Sequence, residues 1–547
     1  MRAWIASFSL ALSLVLATLG LAAMAHAATT AAGLAGPWVT QSGTIRTSTT
    51  STSSLLLPSG VVRTYYLSGS IKYAESSDAS SLATELSTNL SSPSGLFLSN
   101  PTVIRLTNGT FLCVYELSTA NSTTSNRLLY SATSSDGITF GTGTQLPNSS
   151  LDTALGGSTI FQSVPALVQE PSGTVRLYYV ANGYSVGSMT STDNGATWTQ
   201  DSGYRLTGSN DGTNSVSYVD PEVKILSDGS RAMFLSYQTQ TRTSSGPVGT
   251  ATIRIATSTD GTTFAMAPID ILATSGQIVL DPDVVQLANG TWVMLYGAGA
   301  NSQSIDLKRA VIDTSATITP ATGWWWNSSE SGRGFSIETS GDNLFIGGFL
   351  YAADGSCIWY VASGERGGSI FFNTLQQYGS GQTLTGSYRA PSYVGSPGTI
   401  TLNFTSTTSG SLIWPGGTVA IERFPIGGST VTSPASGMPA AGWWWNASEA
   451  GSGYFIEVQG TTLFMAAYMY ADSGQAAWYT STGAMTGTSV FQGSLVEYAN
   501  GQTLTGTYQA PSVAADRGSV TLVFASSATA TLTLPSGRAI SLTRYTF

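Results

Sequence analysis

The sequence predicts an all-β chain built as a five-bladed β-propeller followed by two small antiparallel β-barrel or sandwich modules. Three observations carry that prediction. Charged residues make up only 9% of the 547 positions, and only three of them are Lys, so helix-favouring residues are scarce while strand-like alternation runs nearly throughout. One short phrase recurs in the first half: x-Pro-x-Val or Leu, about four residues, Asn/Asp/Ser-Gly, then an apolar strand ending in Tyr. A different unit of roughly 105 residues occurs twice in the second half.

The elements follow in chain order. Met1-Arg2, an apolar run to about Ala23 and Ala25-His26-Ala27 read as a secretory signal peptide, residues 1–27. This predicts a secreted or extracellular protein, periplasmic or on the outer cell surface, with no transmembrane segment in the mature chain. Residues 28–36 read as a flexible N-terminus. Residues 37–316 are the propeller. Its phrase appears as Asn100-Pro101-Thr102-Val103, Val164-Pro165-Ala166-Leu167, Asp220-Pro221-Glu222-Val223 and Asp281-Pro282-Asp283-Val284, with a worn copy from Ser54 to Tyr66. Each copy reads as a hairpin, strand, Gly turn and strand. Such units around one axis bring equivalent residues to one pocket. The fifth blade is short of strands, and a strand from about Trp38 to Thr47 is expected to close the ring.

Residues 317–426 and 442–547 are the paired modules, joined by a Gly/Ser/Thr/Pro-rich linker at 427–441. They open on Gly323-Trp324-Trp325-Trp326-Asn327 and Gly442-Trp443-Trp444-Trp445-Asn446, continuing with Ser-x-Glu or Ala-x-Glu and Gly-x-Gly. Within each opening strand the outer two Trp share a face and the middle one points the other way. Trp324, Trp326, Trp443 and Trp445 are therefore candidate sugar-binding residues, because Trp faces take up the apolar CH face of a sugar ring. Core filling is the competing role. The phrase resembles a module at the C-termini of secreted proteobacterial proteins, and that resemblance implies no activity.

Composition also excludes chemistry. The formal net charge is -9 and no polybasic stretch exists, so nucleic acid is not an expected partner. The single His, His26, falls in the signal peptide, which removes His-based catalysis and His-ligated zinc from the mature chain. No cofactor or metal is expected. Cys113 and Cys357 fall in different units, and a disulfide between them is not expected. Acid–base chemistry is left to carboxylates, which suffice for glycosidic bond cleavage.

Ser191-Thr192-Asp193-Asn194-Gly195-Ala196-Thr197-Trp198 matches the sialidase Asp-box at each fixed position; the turns at Asp136 and Asp260 are shorter forms. Their physics is that of turns. Arg46, Arg105 and Arg254 do not share a register, which speaks against a sialidase. The Asp-Pro-x-Val…Gly-x-Trp-x-Met-x-Tyr pattern, fullest from Asp281 to Tyr296, resembles the five-bladed propeller glycosidases of arabinanase and fructosidase type. That resemblance implies three axial acids: base, orienting acid and general acid. Asp220 and Asp281 match two of them, in unassigned order. Asn100 and Val164 occupy the equivalent places in other blades, so the third acid is missing from its position. Glu222 and Asp283, two residues on from the axial Asp residues, are the replacement candidates, Glu222 leading, with Glu116 and Glu170 behind them; Asn100 and Asp283 are candidate substrate-binding residues. The competing role for Asp220 and Asp281 is to cap turns or hold a structural cation. The functional expectation is a secreted carbohydrate-active protein, a carboxylate glycoside hydrolase acting on extracellular carbohydrate or cell-surface polymer. The alternative is a non-catalytic glycan- or surface-binding protein.

Overall fold

The computed structural model describes residues 30–119, 125–155, 157–243, 246–301, 304–313 and 317–547. The expected signal peptide lies outside the described residues. Among those described, no helix is long and apolar enough to cross a membrane.

Five antiparallel sheets form the propeller. Their inner strands are Ser53–Leu56, Phe97–Arg105, Gln162–Gln169, Asn214–Ile225 and Ile278–Gln286. The fifth sheet is completed by the N-terminal strand Trp38–Thr40, which pairs antiparallel with Ile305–Ile312. Arg46 bridges to Leu307 further along, so the two ends of the propeller are sewn together as expected. Each seam between neighbouring blades has its own apolar core. Leu112 and Val114 meet Leu177 and Tyr179 at one seam, and Tyr178 and Val186 meet Met233 and Leu235 at the next. Burial of these side chains, at about 25 cal/mol per Å² of apolar surface, holds the blades together.

The outer turns are tied by side chains. Asp193 accepts from the Thr197 hydroxyl (2.6 Å) and amide (2.8 Å) and from Ser191 Oγ (2.8 Å). Asp136 and Asp260 accept from the amides of Ile138 and Thr139, and of Thr262 and Thr263. These bonds pull the Asp136 and Asp193 carboxyls down to about 2. All three turns lie at the ends of third strands, away from the axis.

From Thr30 on, the segment expected to be a flexible N-terminus is packed. Ala32–Ala35 form a 3-10 turn with Ala31, Leu34 and Ala35 buried. Thr30 donates through its amide (2.8 Å) and hydroxyl (2.7 Å) to Glu365, and the Ala31 amide donates to Ser230 Oγ (2.7 Å). The segment thereby joins the fourth blade to the first module. Small residues permit this: a Cβ on Gly33 would sit 2.7 Å from the Glu365 carboxyl carbon.

Each module is built on eight strands, an open-edged sheet in the first, which adds a two-stranded ribbon of Gln377–Gly379 and Ser392–Gly395, and a closed barrel in the second. The middle Trp of each opening strand, Trp325 and Trp444, is sealed in its own module's core. The modules then exchange contacts reciprocally. Glu457 of the second accepts from the Trp324 amide (2.7 Å) and pairs with Arg423 of the first. Glu338 of the first accepts from the Trp443 amide (2.6 Å) and pairs with Arg544 of the second. Trp359 Nε1 donates to Met469 O (3.0 Å), and Trp478 Nε1 donates to Leu350 O (3.1 Å). Two units folded from one chain thus pack like the halves of an isologous dimer, each presenting the same surface to the other. Residues 427–441 run between them, largely exposed.

Candidate functional site

The recurring Pro shapes the propeller axis. Proline lacks the N–H that an inner strand needs for its ladder, so the strand bulges there. Register shifts occur between Ser99 and Thr102, Ser163 and Ala166, Val219 and Glu222, and Leu280 and Asp283. At the bulge the residue before each Pro lies in the left-handed region: φ is 49° at Asn100, 42° at Val164, 55° at Asp220 and 54° at Asp281. Ser51, with φ 50°, takes the same place in the first blade without a Pro. Five equivalent residues therefore ring the axis. Asn and Asp tolerate this conformation; Val164 does not and stores strain of roughly 1–3 kcal/mol.

The ring encloses a void of about 20 Å³, lined by Ser51, Thr52, Asn100, Val164, Asp220, Glu222 and Asp281, with neighbouring prolines. That is room for about one water. Thr52 Oγ1 is shielded from solvent without a partner among the described residues, which suits a water there. The axis then widens into a chamber of about 460 Å³ lined by all five inner strands. Glu222 lines both spaces.

Three carboxyls converge on this void. Asp220 and Asp281 hydrogen-bond to one another. Ser236 Oγ donates to Asp220 Oδ2 (2.5 Å) and accepts from the Asp281 amide (3.0 Å). Burial raises the Asp220 carboxyl, opposed by the Ser236 bond. Burial, then the Asp220 charge, lifts Asp281 well above the carboxylate range. Two buried acids in contact share a proton, because both cannot ionise side by side. Burial pushes Glu222 up to about 7, with Lys224, 2.5 Å away, pulling the other way.

The remaining candidates are placed as follows. Asn100 is on the ring and donates to Glu116 Oε2 (2.9 Å). Glu116 is fully buried behind it, bonded to Ser163 Oγ and ion-paired with Arg127 (2.6 Å). Asp283 is turned into the seam with the first blade, accepting from the Ser54 amide (2.9 Å) and hydroxyl (2.6 Å). Glu170 is held off the ring by Arg231 and Arg176. Trp324 and Trp443 are buried where the two modules meet; Trp326 and Trp445 are half-buried against Phe424 and Tyr545. Cys113 and Cys357 are free and buried. Among the described residues no group of three or more His, Cys, Asp or Glu side chains is arranged to hold a metal ion.

Sequence reasoning missed Ser51 and Ser236. Ser51 hydrogen-bonds Asp281. Neither carries the Pro phrase; only strand register brings Ser236, opposite Val219, beside the acids.

No protein-family model matches the chain, and no curated protein matches it. Solved structures to which it is similar include a thermostable family-43 glycoside hydrolase, at 15% identity over 50% of this chain and 91% of that one, TM-score 0.35. An endo-arabinase from Bacteroides thetaiotaomicron is similar at 16% identity over 50% and 98%, TM-score 0.36. A glycoside hydrolase from Parabacteroides distasonis, so described provisionally, is similar at 14% identity over 52% and 99%, TM-score 0.37.

Proposed function

We propose that the protein is a secreted carbohydrate-active enzyme that hydrolyses glycosidic bonds with Asp220, Asp281 and Glu222. One observation carries this reading: the carboxyls of Asp220, Asp281 and Glu222 line one axial void, the first two in hydrogen-bond contact with each other. An acid and an ionised carboxylate are the two groups glycoside hydrolysis needs. Asp220 and Asp281 are in contact, closer than the roughly 5 Å that separates the two working carboxyls of glycosidases. They therefore act as one unit, a base and its orienting partner, with the void holding the water they activate. Glu222, whose burial lifts it to about 7, is the general acid. Its protonation sets the pH profile: on any polysaccharide the protein cleaves, kcat/KM falls as pH rises through about 7. A profile flat from pH 5 to 9 would remove Glu222 from that role.

A second reading, a non-catalytic glycan-binding platform, is favoured by the size of the void. About 20 Å³ admits a water but no sugar ring, so a substrate has to sit outside the ring of acids.

A further inference from the structure

The modules hold a second cleft, independent of the propeller axis. It is about 340 Å³, at the small end of ligand pockets, and its walls are aromatic: Trp324, Trp326, Phe424 and Phe464 from both sides of the module junction, with Trp478 and Tyr498. Two residues that line it carry unmet polar groups. Trp326 Nε1 and Arg333 Nε are shielded from water and have no hydrogen-bond partner among the described residues. Leaving a buried donor unpaired costs about 1–3 kcal/mol, so such donors mark a place where an acceptor belongs. The Arg333 charge is already met: another arm of its guanidinium pairs with Glu330, and the group lies over the Trp414 ring at 5.6 Å.

This combination selects a ligand class. The aromatic walls suit a flat apolar face, and the two N–H groups suit neutral oxygen acceptors. With Arg333 neutralised by Glu330, no anion is called for. We infer that this cleft binds a ring of a neutral oligosaccharide, its CH face on the half-buried Trp326 and its oxygens toward Trp326 and Arg333.

The second module does not reproduce the arrangement. Ser452 stands where Arg333 stands in the first, and its hydroxyl is satisfied by Glu449 O (3.4 Å). Trp445, the counterpart of Trp326, has no such stranded nitrogen. The inference therefore gives one module site per chain, not two.

The test is titration of the full chain with cello-, xylo- and arabino-hexaose, read by tryptophan fluorescence and calorimetry, using wild type, Trp326→Ala, Arg333→Ser and Asp281→Asn. Arg333→Ser installs the residue with which the second module already folds, so it covers the case in which Trp326→Ala fails to fold. One hexaose is expected to bind the module cleft in Asp281→Asn with the affinity it has in wild type. Trp326→Ala weakens it about tenfold or more, and Arg333→Ser several-fold. No binding of any hexaose at millimolar concentration overturns the inference. So does binding that Trp326→Ala and Arg333→Ser both leave unchanged, whether or not Asp281→Asn abolishes it, because the sugar would then sit outside this cleft.

Discussion

Glu222→Gln tests the axial electrostatics through stability alone, with no substrate needed. Glu222 has a folded-state value of about 7 against an ordinary 4.5. Below pH 4.5 the carboxyl is protonated in both the folded and unfolded chains, and its burial carries no charge penalty. As pH rises from 4.5 toward 7 the unfolded chain releases this proton while the folded one keeps it, so the unfolded state gains. The loss is complete once pH passes the folded value. At about 1.4 kcal/mol per pH unit, the gap between 4.5 and 7 costs the folded propeller roughly 2–3 kcal/mol after allowance for the side chain's partial exposure. Gln cannot titrate and escapes that loss. Asp220 and Asp281 contribute with the same sign in both proteins and cancel in the difference. The assay is differential scanning calorimetry of both proteins from pH 4.5 to 8.5, following the propeller transition. The chain holds several domains, so the propeller transition is followed rather than one Tm for the whole chain. Relative to wild type, the variant should gain on the order of 5 °C between the two ends of the range. Parallel curves across it would refute the reasoning, because Glu222 would then titrate alike in both states.

Further predictions concern other parts of the molecule. Asp281→Asn should leave the propeller's thermal stability unchanged or raise it at pH 8, since Asn tolerates the left-handed φ of 54° and relieves a crowded carboxyl pair; thermal melts check this. Val164→Asn should stabilise by about 1 kcal/mol, measured by chemical denaturation, by removing a β-branched residue from φ 42°. Glu457→Gln should cost the module pair about 3–5 kcal/mol, because it strands Arg423 in the interface; a double-mutant cycle with Arg423→Met should recover most of that loss. Neither thiol should react with Ellman's reagent at pH 8 in the native protein, and both should react on unfolding. Burial lifts Cys357 to about 12 and Cys113 higher still.

How far the sequence reaches is set by which features are local. The bulged Pro phrase is local, so it places Asn100, Val164, Asp220 and Asp281 at equivalent positions. Ser51 shares their backbone conformation but lacks the Pro, and nothing local distinguishes it. Ser236 and Glu116 reach the ring from second strands, and their placement depends on how many residues each bulge absorbs. Strand alternation separated Trp325 from Trp324 and Trp326. It did not say that Trp324 faces the other module, because that depends on how two folded units dock. Ala- and Gly-rich residues 28–36 resemble a free lead; the close approach of Gly33 to Glu365, 332 positions away, is a tertiary fact.

The measurement that bears most directly on the account is release of reducing ends from plant and microbial polysaccharides by the purified full chain, beside Asp220→Asn, Asp281→Asn and Glu222→Gln at pH 6. The account predicts turnover on at least one polysaccharide, lost about a hundredfold or more in each variant while all three melt normally. Turnover that survives all three substitutions, or no turnover on any polysaccharide, would contradict it and leave the axial acids as part of a binding platform.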